Sequence, residues 1–158
     1  MAAERDRDTS GRPKNSRPRD ELGRPLPRGG SNRLPEETPA ATPDEALARG
    51  IEHFNAGRYF QAHEAWEEGW HPSPEPERDF WQGLTQLAVG LTHRQRGNAH
   101  GATTLLRRGA KKLRTYGDEH MGVSVKPLVA FADDAADRIE RDGIEAPVEP
   151  PTVERSAG

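Results

Sequence analysis

Apolar residues recur at helical spacing through the central part of the chain, residues 44–143. The pattern begins after Pro43, with Asp44 as the expected N-cap, and the first helix is predicted to end at Gly57. Four further helices are predicted over residues 59–70, 77–96, 99–116 and 125–141. Because no alternating strand pattern competes with them, we predict an all-α fold: a compact bundle of about five helices built from antiparallel helical hairpins.

A weak internal repeat with an offset of 40 residues supports this arrangement. It matches Gly57 with Gly97, Ala62 with Ala102, Trp66 with Leu106, and Gly69 with Gly109. Each matched segment follows an apolar helix and a tight turn, as in stacked helical hairpins.

The two ends of the chain have a different composition. Residues 1–43 contain 7 of the 14 prolines and no aromatic residue. Residues 144–158 contain Pro147, Pro150 and Pro151. Such segments bury too little apolar surface to offset the entropy of ordering. We therefore predict a disordered Pro/Arg-rich tail at 1–43, a helical domain at 44–143 and a second disordered tail at 144–158.

The second predicted helix carries the most distinctive chemistry. On a helical wheel His63 and Glu67 lie in the sector of the large aromatic residues, among them Trp66 and Trp70. The opposite side, expected to face solvent, holds Gln61, Glu64, Ala65 and Glu68. A carboxylate among aromatic rings is costly unless it is paired or bound to a metal, and a histidine four residues away is its local partner.

The third predicted helix supplies a polar stripe that includes Gln82, Gln86 and His93. Since this stripe lies opposite the leucines of the same helix, we expect His93 to face His63. Residues expected to line a pocket around the pair are Trp66, Trp70, Gln86, Arg96 and Asn98.

Two linked motifs connect the chain to a known family. The first is HxxxExxW, formed by His63, Glu67 and Trp70, and the second is His-x-x-Arg-Gly-Asn, from His93 to Asn98. With the residues around them, over about 50–115, they resemble the prokaryotic domain-of-unknown-function family 309. The resemblance implies a compact helical protein. Because some members are described as predicted metal-dependent hydrolases, it also implies a possible hydrolytic function.

Three interpretations of the His63–Glu67 pair stay open. The pair can be a buried, hydrogen-bonded structural element. It can join His93 in binding one divalent metal (zinc, manganese or iron), whose bound water would act as the nucleophile. It can also perform metal-free acid–base catalysis, with Glu67 and His63 as the catalytic residues.

A basic segment at 94–114 suggests a second class of function, since it holds seven basic residues and no acid. The simplest interpretation is a solvated helix face balanced by acidic residues of the fifth helix, such as Asp133 and Asp137. The alternatives are an anion or nucleic-acid patch on helix 99–116, or a docking surface for an acidic partner. The formal net charge of -3 and the absence of interleaved aromatics argue against a dedicated nucleic-acid binder.

Composition removes several further classes. The 158 residues include no cysteine, which excludes disulfides, thiolate zinc sites and a cysteine nucleophile. No apolar run approaches the roughly 20 residues of a membrane span, and the first residues lack the apolar core of a signal peptide. We expect a soluble, cytoplasmic protein, either a metal-dependent hydrolase or a non-enzymatic helical-hairpin scaffold. Its partner would be an unidentified small molecule or protein, or a second copy in a homodimer.

Overall fold

The computed structural model describes residues 6–7, 13–14, 39–40, 42–70 and 73–156, in two units that divide after Glu37. In the first unit β1 (Asp6–Arg7) pairs antiparallel with β2 (Pro13–Lys14). Most of the predicted disordered tail at 1–43 lies outside the described residues. The second unit is helical, and its described residues include no helix long and apolar enough to cross a membrane.

The all-α prediction is confirmed in the second unit. Its helices are α1 (Pro43–Asn55), α2 (Tyr59–Trp70), α3 (Glu75–Gln95), α4 (Ala99–Arg114) and α5 (Lys126–Asp142). Several boundaries of α1, α3, α4 and α5 differ from the predicted ones by one or two residues, and at the start of α1 the N-cap is Thr42 and not Asp44. The Thr42 hydroxyl accepts a hydrogen bond from the Glu45 amide, and Pro43 fills the first helical position, where a missing N–H has no cost.

Two turns of the same geometry join α1 to α2 and α3 to α4. Gly57 and Gly97 have φ values of 79° and 80°, a conformation that favours glycine. The amides of the residues that follow them donate to the carbonyls of His53 and His93, at 2.9 and 2.8 Å. These bonds close both helix ends in the same way. The repeat seen in the sequence is therefore a repeated helix end and turn.

Each helix packs on the next one along the chain, and α3 and α4 share the most extensive contact. Glycines allow this close approach: a Cβ at Gly109 would lie 2.9 Å from the Gly83 carbonyl oxygen, and one at Gly90 would lie 3.2 Å from the Ala102 carbonyl oxygen. Leu87, Leu106 and Leu113 fill the space around these contacts. The α3–α4 hairpin is thus the closely packed centre of the unit.

The segment after α5 is not the disordered tail that its composition predicts. Ala146 and Val153 are each only 4% exposed. The Asn55 side chain donates to the Val153 carbonyl at 3.1 Å and accepts from the Val153 amide at 2.7 Å, and an Arg94 guanidinium N–H donates to the Ala146 carbonyl. Residues 144–156 therefore form a strap across the helices, because side chains distant in sequence satisfy its backbone groups.

The strap also adjoins a short hairpin between α4 and α5. Here β3 (Glu119–His120) pairs antiparallel with β4 (Val123–Ser124), and Val123 forms a further bridge with Arg155 of the strap. His120 Nε2 lies 2.6 Å from Glu77 Oε2, which ties the hairpin to the first turn of α3.

Candidate functional site

His63 and Glu67 lie together on α2, one turn apart. His63 Nδ1 is 2.7 Å from the Phe60 carbonyl oxygen, so this nitrogen carries a proton and donates it. His63 Nε2 lies 3.7 Å from Glu67 Oε1, which is beyond hydrogen-bond distance. The pair is therefore an i, i+4 contact whose histidine is anchored by a local backbone hydrogen bond.

The face of α2 that packs into the core includes Phe60 and Trp66 of the predicted aromatic sector, but it also extends to small residues outside that sector. Ala62, Ala65, Trp66 and Gly69 are buried, whereas the side chains of His63 and Glu67 are 15% and 33% exposed. Ala65 was expected on the solvent side. Small residues face the core because larger groups from neighbouring helices occupy the space over them: a Cβ at Gly69 would lie 2.5 Å from the Trp81 ring of α3. The His63–Glu67 pair consequently lies at the edge of the core.

His93 belongs to a different environment, at the turn between α3 and α4. Its Nδ1 accepts a hydrogen bond from the Asn98 side-chain amide at 3.2 Å, and its ring packs on Gly101, where a Cβ would lie 2.8 Å from it. Burial lowers the pKa of His93, and the neighbouring Arg96 guanidinium lowers it further. Both effects favour the neutral form of His93, and one of its ring nitrogens is already engaged.

The predicted three-ligand metal set is not assembled. Among the described residues, no group of three or more His, Asp or Glu side chains converges in a way that could hold a metal ion. His93 occupies the position that His53 has in the first hairpin, while His63 lies one turn into the following helix.

The residues predicted to shape one pocket are not all brought together, although Arg96 lies beside the Phe60 ring, which itself packs against His63 with ring centroids 4.8 Å apart. Trp66 is only 1% exposed and donates its indole N–H to the Leu47 carbonyl at 3.3 Å, so it is a core residue of the α1–α2 contact. Trp70 is half-buried against the same core. The Arg96 guanidinium lies 5.7 Å from the centre of the Phe60 ring. Asn98 caps α4 by accepting from the Gly101 amide.

The basic segment is neutralised along one side of α4. Arg107 forms ion pairs of 2.9 Å with both Asp137 and Glu140, and Arg114 pairs with Asp133, all on α5. These carboxylates raise the pKa of Arg107 further above its usual range through hydrogen bonds and charge. This side of α4 is the balanced helix face that the sequence predicts.

The other side of α4 borders a cleft of about 390 Å³ shared with α3. Its lining residues are Asp79, Gln86, Arg108, Lys111, Lys112 and Thr115. Lys112 lies 3.4 Å from Asp79. Arg108 and Lys111 are exposed and form no ion pair with any residue in the described part of the chain. The cleft therefore concentrates positive charge that α5 does not offset.

Sequence reasoning found some of these residues but not their grouping. Gln86 was expected beside His63 and instead lines the cleft, while Asp79 and Thr115 were not singled out. A usable signal exists in the spacing, because Arg108, Lys111, Lys112 and Thr115 follow at three- and four-residue intervals on one face of a helix.

The fold and the cleft together describe a helical protein of consecutive antiparallel hairpins with a cationic cleft between α3 and α4. Residues 47–105 match the family described as "Domain of unknown function (DUF309)". The chain is thus DUF309-like over the stretch from α1 into α4, which confirms the resemblance found in the sequence.

Part of the chain is also similar to a protein of Bacillus subtilis. The chain is 42% identical over 72 residues to "Uncharacterized protein YpuF" of Bacillus subtilis (strain 168). The matched region covers 44% of this chain and 40% of that protein, so the chain spans less than half the length of this curated relative.

Proposed function

We propose that this protein is a non-enzymatic interaction module that recognises an anionic partner through the α3–α4 cleft. The observation that carries the proposal is the pair Arg108 and Lys111, which border the cleft without a carboxylate from α5. An uncompensated pair of cations beside a concave surface attracts and orients an anion.

A metal-dependent hydrolase is the weaker alternative. It requires His63, Glu67 and His93 to act on one ion, and these side chains do not converge among the described residues. The hydrogen bonds of His63 and His93 fit structural roles, because each ring nitrogen Nδ1 bonds a group within five residues of it. The cleft offers binding chemistry without this requirement.

The test is the binding of a fluorescein-labelled oligoglutamate peptide to the full chain, followed by fluorescence anisotropy. We expect salt-sensitive binding, since exposed charges are screened by added salt. The variant R108E/K111E should weaken it more than tenfold, because two attractive contacts become repulsive. The matched control K126E/R138E changes the net charge equally at exposed positions of α5 and should bind as the wild type does.

Two results would overturn the proposal. Equal weakening by both double variants would show that net charge, and not the cleft, attracts the peptide. Stronger binding of a double-stranded DNA oligonucleotide than of the peptide, lost in R108E/K111E, would make the protein a nucleic-acid binder.

A further inference from the structure

The strap at residues 144–156 lies on the helices as an extended peptide lies in a binding groove. From residue 147 onward its exposed residues are spaced two apart, at 147 and 149 and again at 152, 154 and 156. Val153, between two of these exposed residues, is buried. A period of two is typical of an extended segment that turns every second side chain toward its support. The strap therefore has the conformation of a bound peptide.

The surface under the strap holds it largely through backbone groups. The Asn55 side chain of α1 bonds both the N–H and the C=O of Val153, at 2.7 and 3.1 Å. Next to this contact the strap pairs with the β3–β4 hairpin, where the Ser156 amide donates to the Gly122 carbonyl at 2.7 Å. Bonds to backbone groups do not depend on sequence, so an extended segment of another protein satisfies them as well as the strap does.

Two side chains of the strap add a sequence preference. Val153 is only 4% exposed, so its position accepts an apolar side chain, and an extended backbone favours a β-branched one. The Arg155 guanidinium forms an ion pair with Asp44 of α1, and its Nε–H donates to the Met121 carbonyl at 3.3 Å. The groove therefore fits a β-branched apolar residue that is followed two positions later by arginine.

The described contacts fix the strap at two places, one near each end. Near its start an Arg94 guanidinium N–H donates to the Ala146 carbonyl at 2.8 Å, and near its end the bonds of residues 153–156 hold it. Between these anchors, residues 147–152 form no hydrogen bond with another described residue. Segments with few buried contacts and few backbone hydrogen bonds open at a low cost in free energy.

We propose that the groove formed by α1, the C-terminal end of α3 and the β3–β4 hairpin docks an extended segment of another protein, which binds by displacing the strap. The segment that fits repeats the pattern of Val153 and Arg155. A second copy of this chain is a poorer occupant, because its strap must first leave an identical groove and the exchange gains no contact. The residues that hold the strap do not line the α3–α4 cleft, so this site is separate from that of the proposed function.

The experiment is fluorescence anisotropy of a fluorescein-labelled peptide with the sequence of residues 144–156, added to the full chain. The wild type should bind it weakly, because the tethered strap competes at an effective concentration of about 1 mM. V153D places a carboxylate where the groove is apolar, so the strap should leave and the peptide should bind more than tenfold more tightly. T152D, at an exposed position, is the matched control and should bind as weakly as the wild type.

Two further measurements locate the peptide in the groove. Adding N55A to V153D removes the amide that bonds the peptide backbone and should weaken binding about tenfold. A peptide with the R155A change should bind V153D more weakly, and one with the V153D change should not bind it.

A second design keeps the test independent of the folding of V153D, which circular dichroism checks. A protease recognition sequence is inserted after Gly143 in the otherwise unchanged chain and cut. The released strap should then exchange with an excess of the labelled peptide, because its contacts to the groove are the same as those of the peptide.

Four results would overturn the inference. Equal binding to the wild type and V153D, or to V153D and N55A/V153D, would place the peptide outside the groove. Equally tight binding of a scrambled peptide would remove the assigned pattern. A cut strap that does not exchange would be a permanent part of the fold. A wild-type dimer that the peptide dissociates would make the occupant the strap of a second copy.

Discussion

Replacing Gly50 with alanine tests how α1 and α2 fit together. Gly50 is a buried residue in the middle of α1, and a Cβ there would lie 2.1 Å from Trp66 Nε1 and 2.4 Å from Trp66 Cδ1. In an exposed helix the same change stabilises by about 1 kcal/mol, because alanine is the better helix former. The structure predicts the opposite sign at this position.

The magnitude follows from the surroundings of Trp66. Its side chain is only 1% exposed and bonds the Leu47 carbonyl at 3.3 Å, so it has little space to move away. Overpacking of this kind costs about 1–3 kcal/mol, and loss of the indole hydrogen bond about 1 kcal/mol more. After about 1 kcal/mol of gained helix propensity is subtracted, we expect a net loss of about 1–3 kcal/mol in the free energy of unfolding.

Urea unfolding followed by far-ultraviolet circular dichroism measures this loss. A48G, at an exposed position of α1, is the control and should lose about 1 kcal/mol through helix propensity alone. In the double variant G50A/W66F the smaller ring should recover part of the loss, so the two changes should be non-additive by at least about 1 kcal/mol. A G50A protein as stable as the wild type would refute the proposed contact.

Further predictions concern the turn, the strap and the metal hypothesis. Burial lowers the pKa of His93 in the folded state, so as the pH is lowered through about 6.5 the unfolded chain takes up a proton before the folded protein does. The free energy of unfolding should therefore decrease as the pH is lowered below 6.5, and it should decrease less steeply in H93Q. Urea unfolding at several pH values measures both slopes. N55A removes both hydrogen bonds to Val153 and should lower the free energy of unfolding by about 1–2 kcal/mol. It should also speed proteolytic cleavage within residues 144–156, which mass spectrometry detects. An unchanged cleavage rate would mean that the strap is held without Asn55. Zinc should not raise the melting temperature of the wild type more than that of H63A, and a stoichiometric zinc-dependent shift lost in H63A would restore the metal-site interpretation.

The helices and the turns between hairpins were predictable because their signals are local. The predicted α2 has the observed bounds, and the predicted α4 begins at the observed residue. Gly57 and Gly97 mark the helix ends, since their positive φ is a property of the backbone at that position. The ion pairs of Arg107 and Arg114 with carboxylates of α5 were also predictable, because neighbouring helices in a bundle place complementary charges side by side.

The strap could not be predicted from its own composition. Few of its residues are apolar, and its prolines are typical of disordered segments. It is held by Asn55 and Arg94, which lie 98 and 52 residues away from their partners in the sequence. Composition describes only what a segment can bury by itself, and not the hydrogen bonds that distant side chains supply to its backbone.

The chain by itself determined which segments are helical and, to within one helical turn, where they begin and end, because backbone conformation depends on neighbouring residues. Only the tertiary structure decided which face of each helix meets which neighbour. Aromatic residues suggested that His63 and Glu67 face the core, but the packed face of α2 consists of Trp66 together with small residues such as Ala65 and Gly69, and the Trp81 ring of α3 fills the space over Gly69. Likewise Gln86 lines the cleft with α4, and not a site with His63, because the approach of α3 and α4 fixes which side chains share a surface.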